Sequence, residues 1–431
     1  RIACLPRPMT SGETSQRYSP LHAIAPDIPF SHPQSPSFTT RIYPSLVVAL
    51  FVLNLACFWH FTRPFTPTPF SASYPSSPDC DADLAVSPWA RRVPERRLCA
   101  PRIHNYTRLA PRERSNQQAA YAATLLAIGD WGRDGRCCQN DIALVLAEEA
   151  VSARASTAVT GNASASGALN VAILNTGDNF YPAGIPTPDA PQVKTSWRDV
   201  YFSVGLPADI PWLSVLGNHD YVGVAAAQFT IPPPWTMPGP RFTQRLGVGG
   251  IIEIICIDTS PEYYTANATE SAELGLGPSA AAEQWAWLVG ILGTRPNGVR
   301  WRILVGHHPI VSATSIGEDQ QVAGLRAALT KVLASAAEGA VHPPVDMYVC
   351  GHDHSMMHAV ADIAGVGPLH VVVSGAGSKI SEGEVAGRGG SEVRFVMKRQ
   401  GIVRMNVDAT RIVAEYLDYM GVMLYRAVVE K

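Results

Sequence analysis

The sequence predicts an α/β fold whose functional residues gather at the carboxyl ends of largely parallel strands. Three observations carry this expectation. From Thr124 to Leu216, short apolar runs alternate with helical patterns in the order strand, helix, strand, helix, strand. That succession requires crossover connections and a parallel sheet. Five apolar runs then end in Gly plus a ligand-capable residue: Gly129-Asp130, Gly177-Asp178-Asn179, Gly217-Asn218-His219-Asp220, Gly306-His307-His308-Pro309 and Gly351-His352-Asp353-His354. Open α/β sheets place their chemistry at such strand ends. Finally, 46% hydrophobic and 16% charged residues over 431 positions supply a sizeable core for one large or two ordinary domains.

In chain order, residues 1–45 are rich in Pro and Ser, lack periodicity and are expected to be disordered. Leu46 to Phe61 (LVVALFVLNLACFWHF) is apolar apart from Asn54 and His60. It is shorter than the ~20 residues of a spanning helix and near the upper length of a signal h-region. Arg41 precedes it, and the small residues Ser71-Ala72-Ser73 follow at some distance. A signal peptide and an uncleaved signal anchor both fit residues 46–61, whereas the Pro-rich polar flanks argue against a buried core helix. Residues 62–120 read as a Pro-rich stem, and the folded domain spans 121–431.

Within that domain, strands are expected at Thr124 to Ile128, Asn170 to Asn175, Trp212 to Leu216, Ile251 to Asp258 and Trp301 to Val305. Helices are expected at Asp141 to Val151, around Trp197 to Phe202, at Ala280 to Leu292 and at Ala323 to Ala336. The Ala/Ser/Thr/Gly run from Ala153 to Ala168 reads as a surface loop, and Ile231 to Pro240 as a rigid Pro-rich loop. Leu369 to Ser374 and the tail from Val393 to Val429 alternate in character, which suits antiparallel pairing. The two βαβ-rich halves suit a two-sheet sandwich flanked by helices.

Net charge is −2, and no Lys/Arg cluster with interleaved aromatics occurs, which argues against a nucleic-acid partner. Cys256 and Cys350 lie in apolar strands as core thiols, and Cys80 and Cys99 bracket a segment that a disulfide would close. Cys137 and Cys138 are adjacent, so a bridge is expected to run from them to another partner. Three N-x-[ST] sequons, at Asn105, Asn162 and Asn267, all follow the apolar segment. Together these features favour a glycosylated protein of the secretory pathway: secreted, lysosomal or vacuolar, or membrane-anchored through 46–61 with the domain lumenal or extracellular.

The histidine pair His352 and His354, taken alone, fits a polar cluster as well as a metal site. The four upstream blocks decide for metal. Asp130, Asp178, Tyr181, Asn218, His307, His352 and His354 mix oxygen donors with imidazoles and include no thiolate. Such a set suits hydrolytic Fe, Mn or Zn rather than a structural zinc finger. Seven ligands exceed the needs of one ion with an open site and suit two ions bridged by a carboxylate, the usual clamp for displacement at phosphorus.

Taken as an ordered set, the five blocks resemble the signatures of the metallophosphoesterases and, more narrowly, of the small tartrate-resistant purple acid phosphatases. The likeness runs from about Leu125 to Gly377, with Val372-Val373-Ser374-Gly375-Ala376-Gly377 in support. It implies the two-sheet metallophosphoesterase sandwich and an acid phosphatase acting on phosphomonoesters. In such an enzyme a hydroxide activated at a binuclear centre attacks phosphorus. By the same resemblance Asp130, Tyr181 and His354 hold Fe(III), and Asp178 bridges. Asn218, His307 and His352 hold a divalent Fe, Zn or Mn. His219 is the implied catalytic donor to the phosphate or leaving group, and Asp353 a supporting residue beside the ligands.

One departure stands out. Where animal members carry a second active-site histidine, this sequence has Ile316. The proton-donor role then falls to His219, or His308 substitutes, or leaving-group assistance is weaker. An exposed or backbone-bonded loop position is the competing reading of His308. Two rival functions follow: a phosphodiesterase or nucleotide hydrolase on the same scaffold, and a non-catalytic cell-surface protein that keeps the fold.

Overall fold

The computed structural model describes residues 121–159, 170–266, 276, 278–314, 319–380 and 392–431. The expectations for 1–45, 46–61, 62–120, the Cys80–Cys99 bridge, the sequons and Ile316 fall outside these residues. No helix among the described residues is long and apolar enough to cross a membrane.

Strand β1 (Ala123–Ile128) is buried along its whole length, as expected of a strand covered on both faces. It pairs in parallel with β2 (Val171–Asn175), and parallel pairing continues to β3 (Trp212–Ser214) and β4 (Trp235–Thr236). On the other side of β1, β12 (Gly401–Val407), β13 (Arg411–Asp418) and β14 (Met423–Glu430) add antiparallel, completing a seven-stranded sheet. The second seven-stranded sheet has a parallel centre of β6 (Ile252–Cys256), β7 (Trp301–Val305), β8 (Met347–Cys350) and β10 (Gly367–Ser374). Its antiparallel margins are β5 (Phe242–Leu246), β9 (Met356–Ile363) and β11 (Val393–Met397).

The two-residue period of a strand explains how the layers divide. Ile252, Ile254 and Cys256 of β6 join a core shared with the first sheet, while Ile255 and Ile257 join a second core. That second core is completed by Leu288 and Leu292 of α4 (Pro278–Leu292) and by Leu325, Leu329 and Leu333 of α5 (Asp319–Ala337). Helix α1 (Gln139–Val159) turns Ile142, Leu146 and Ala150, spaced by four, toward the first core.

Buried Glu253 lies opposite Arg302 in the β6–β7 register and accepts from its Nε at 2.7 Å. The rest of that guanidinium donates to the carbonyls of Ile291, Leu292 and Thr294, where α4 ends. A buried ion pair is tolerated when its remaining donors are satisfied in this way, and here it ties helix to sheet.

Several boundaries differ from the expectations. Helix α1 continues to Val159, through the first half of the expected loop, because Ala and Arg are strong helix formers and Ala153 packs on the core. The Pro-rich segment holds β4, which pairs Trp235 with Trp212. Around Trp197 the helical segment Val193–Phe202 is wound as a π-helix. Cys256 and Cys350 are buried free thiols, whereas Cys137 and Cys138 are both disulfide-bonded.

Candidate metal centre

The five blocks meet at the carboxyl ends of β1, β2, β3, β7 and β8. Trp131 anchors the loop after β1. Its Nε1 donates to Asn175 Oδ1 at 2.9 Å, and its ring meets Phe180, Tyr201 and Trp212 at 5.4–5.7 Å. The loops turn sharply, with Asp130, Asp178 and His352 at φ of 61°, 51° and 64°. Left-handed backbone is costly for side-chain-bearing residues and gathers at functional sites. The block glycines are required by close approach. A Cβ on Gly217 would lie 2.2 Å from Asp178 Oδ1, and one on Gly351 would lie 2.5 Å from Asp130 Oδ2.

Two groups of donors share Asp178. In the first, Tyr181 Oη lies 2.8 Å from Asp178 Oδ2, 3.1 Å from Asp130 Oδ1 and 3.1 Å from His354 Nε2. In the second, His307 Nε2 lies 3.5 Å from Asp178 Oδ1, 3.2 Å from Asn218 Oδ1 and 3.3 Å from His352 Nδ1. His352 Nδ1 is also 3.1 Å from Asn218 Oδ1. Asp178 therefore turns one oxygen to each group. The sequence-predicted ligands all come together.

The donor chemistry fits cations. His307 Nδ1 lies 2.8 Å from the Thr176 carbonyl and carries its hydrogen there, so Nε2 presents a lone pair to other lone pairs. Tyr181 has one hydrogen for two carboxylates, with His354 Nε2 beside them. Such an excess of converging acceptors is what a pair of metal ions would satisfy. The ligand atoms of Asp130, Asp178 and His307 lie within 4.8 Å of one another, and so do those of His307, His308 and His352.

Electrostatics follow from burial and neighbours. Burial would raise the Asp178 carboxyl, but the His307, His219 and His352 imidazoles and the Tyr181 hydroxyl hold it down at about 2. Burial, then the Asp130 and Asp178 charges, push the Tyr181 phenol well above its usual range. A bound cation reverses the sign of that field.

His219 is the more open group, with 36% of its side chain exposed against 19% for His354. Its backbone N–H donates to Asp178 Oδ1 at 2.9 Å, and Nδ1 donates to the Pro182 carbonyl at 2.7 Å. Nε2 is left 4.0 Å from Asp178 Oδ2. His308 is not an exposed loop residue: it is wholly buried, stacked on Tyr263 at 4.0 Å, with Nδ1 2.8 Å from Thr259 Oγ1. Its Nε2 has no hydrogen-bond partner among the described residues. Burial, and then His352 and His307, hold its basicity far down. Asp353 is buried and accepts from Ser312 Oγ at 2.6 Å.

Sequence reasoning missed two supports. Thr259, between β6 and the short helix α3 (Ser260–Tyr263), accepts from the His307 and His308 N–H groups at 3.2 and 3.0 Å. Asp220, in the short helix α2 (Asn218–Val222), accepts from Gly217 N at 2.8 Å, Asn179 N at 3.0 Å, Asn179 Nδ2 at 3.2 Å and Gln228 Nε2 at 2.8 Å. Burial and the Asp178 charge push Asp220 up to about 8 against the pull of these donors. Asp220 stands in a quoted block, but its inward aim left no mark in the sequence.

Comparison with known proteins agrees with this geometry. The Calcineurin-like phosphoesterase family model matches residues 123–356, more than half of the chain. Purple acid phosphatase 4 of Arabidopsis thaliana is 28% identical over 309 residues, covering 70% of this chain and 82% of the relative. Tartrate-resistant acid phosphatase type 5 of Rattus norvegicus is 30% identical over 219 residues, 48% of this chain and 60% of the relative. Among solved structures, GAP50, the anchor in the inner membrane complex of Plasmodium, superposes with a TM-score of 0.53 at 22% identity. It covers 72% of this chain and 88% of its own, and it shows the shared fold. With purple and tartrate-resistant acid phosphatases as relatives and an Asp/His donor set suited to two metals, the chain belongs to the calcineurin-like phosphoesterases and is a phosphoester hydrolase.

Proposed function

We propose that the protein is a purple-type acid phosphatase that hydrolyses phosphomonoesters. The observation that carries this reading is the Tyr181 hydroxyl, held within 3.1 Å of Asp130, Asp178 and His354. Asp130, Tyr181 and His354 would hold Fe(III), Asn218, His307 and His352 a divalent Fe, Zn or Mn, and Asp178 would bridge. Bound there, the pair supplies Lewis acidity, which acidifies water and neutralises charge at phosphorus. The chain's own residues do the rest. Thr176 and Thr259 fix the His307 ring and backbone. His219, its Nδ1 hydrogen committed to Pro182, leaves Nε2 to face the site, from which its imidazolium form would deliver a proton to the departing oxygen. The complete donor set favours catalysis over a non-catalytic role. Secretory-pathway placement, with an anchor through 46–61, is supported by that apolar segment, the sequons and the bonded Cys137 and Cys138.

Metal analysis, a visible spectrum and rates on a monoester and a diester test the reading together. Tyr181→Phe should erase the visible band and lower ferric affinity while circular dichroism stays unchanged, because the ring and its packing remain. A colourless wild type, fully active with Mn or Zn alone, would sink the purple assignment. Faster turnover of the diester would favour the phosphodiesterase alternative.

His219→Ala should lower kcat by about 10²–10⁴, the usual contribution of a positioned proton donor, with metal content near normal. Loss of an ion in that variant would make His219 a ligand instead.

A further inference from the structure

We propose that Arg133 forms an anion subsite beside the ligand cluster and selects substrates whose leaving portion itself carries a phosphate. The inference rests on the phosphoesterase reading and adds the class of substrate. Arg133 follows Gly132 in the loop after β1. Its Nε donates to Ser378 Oγ at 3.1 Å, and its guanidinium carbon lies 3.7 Å from the centre of the Tyr181 ring. Ser378 in turn donates to the Asp130 carbonyl. The side chain is therefore fixed one ring away from the oxygen that meets Asp130, Asp178 and His354.

Among the described residues the guanidinium meets no anion. Neither terminal nitrogen has a hydrogen-bond or carboxylate partner among the described residues. The nearest acid in sequence, Asp134, is engaged by Arg136, Thr195 and Ser196. A half-buried arginine held by an aromatic face, its terminal nitrogens without partners among the described residues, matches the planar recognition of phosphate oxygens. The same Tyr181 ring meets His219 at 4.4 Å between centroids. His219 and Arg133 therefore lie against the same ring, which keeps the guanidinium close to the group assigned to the departing oxygen.

With a diphosphate the step balances simply. Water adds oxygen to the terminal phosphorus, the bridging P–O bond breaks, and the departing phosphate takes a proton while Arg133 compensates its charge.

Pyrophosphate and p-nitrophenyl phosphate separate the roles, since only the first offers a second phosphate. Arg133→Met keeps a stem on the Tyr181 ring without donors. It should raise KM for pyrophosphate about tenfold, the scale of a lost charge-assisted hydrogen bond. KM for p-nitrophenyl phosphate should move less than about threefold, and Arg133→Lys should recover part of the difference by restoring charge without the fork. Calorimetry should show methylenediphosphonate binding weakened by a similar factor, with methylphosphonate binding unaffected. Equal KM shifts for both substrates, or none, overturn the proposal. If the wild type hydrolyses neither substrate, the phosphatase reading fails. The two phosphonates then decide Arg133 alone: discrimination lost in Arg133→Met upholds the subsite, and unchanged discrimination refutes it.

Discussion

Asp178→Ala should strip both metal ions from the protein and cut turnover by more than about a hundredfold, the upper range for loss of a residue that merely supports a metal ligand. Asp178 turns Oδ1 toward His307 and Oδ2 toward Tyr181, so one truncation removes an oxygen from each donor group. It also frees the His219 N–H, which Oδ1 accepts at 2.9 Å. The left-handed φ of 51° at this position suits aspartate better than alanine, so a modest loss of stability should accompany the loss of metal. Elemental analysis beside circular dichroism tests this directly. Two ions retained at full occupancy in a folded Asp178→Ala protein would exclude a bridging role.

Asp220→Ala should destabilise the fold by about 3–5 kcal/mol, because several buried N–H groups lose an acceptor at about 1–3 kcal/mol each. Gly217 N, Asn179 N, Asn179 Nδ2 and Gln228 Nε2 all lose their shared acceptor in a site water does not reach. Two of those donors flank Asp178 and Asn218 directly, so metal affinity should fall along with stability. A melting temperature lowered by about 10 °C is the expected scale. A drop of only a degree or two would mean that the freed donors find water or new partners.

Asp178 and Asp220 differ in how visible their roles are in the sequence. Asp178 stands in a glycine-aspartate block at a strand end, and such blocks are legible because the donors and the glycines that admit them are neighbours in the chain. The apolar runs of β1, β2, β6 and β7 are legible for a related reason: strands buried on both faces have near-continuous apolar sequence. Asp220, Thr259 and Arg133 are not legible, because each acts through partners tens or hundreds of residues away. Strands β5 and β9 are equally hard to read. β5 alternates buried and exposed residues over a short span, and β9 begins directly after the metal block with two methionines. The extension of α1 is hidden by Ala/Ser-rich composition, which loops and helices share.

The join between β1 and β12 also sets a schedule for synthesis. Thr124 pairs with Asn406, and their side chains bond across 282 residues of sequence. At a translation rate of ~5–20 residues per second, roughly 15 to 55 s separate the emergence of those partners. During that interval one edge of β1 offers unpaired N–H and C=O groups to any other extended chain. The strand that presents Asp130 can thus reach its final place only after Val407 has left the ribosome. A nascent chain arrested before that point would carry β1 with an open edge and is the form most in need of a chaperone.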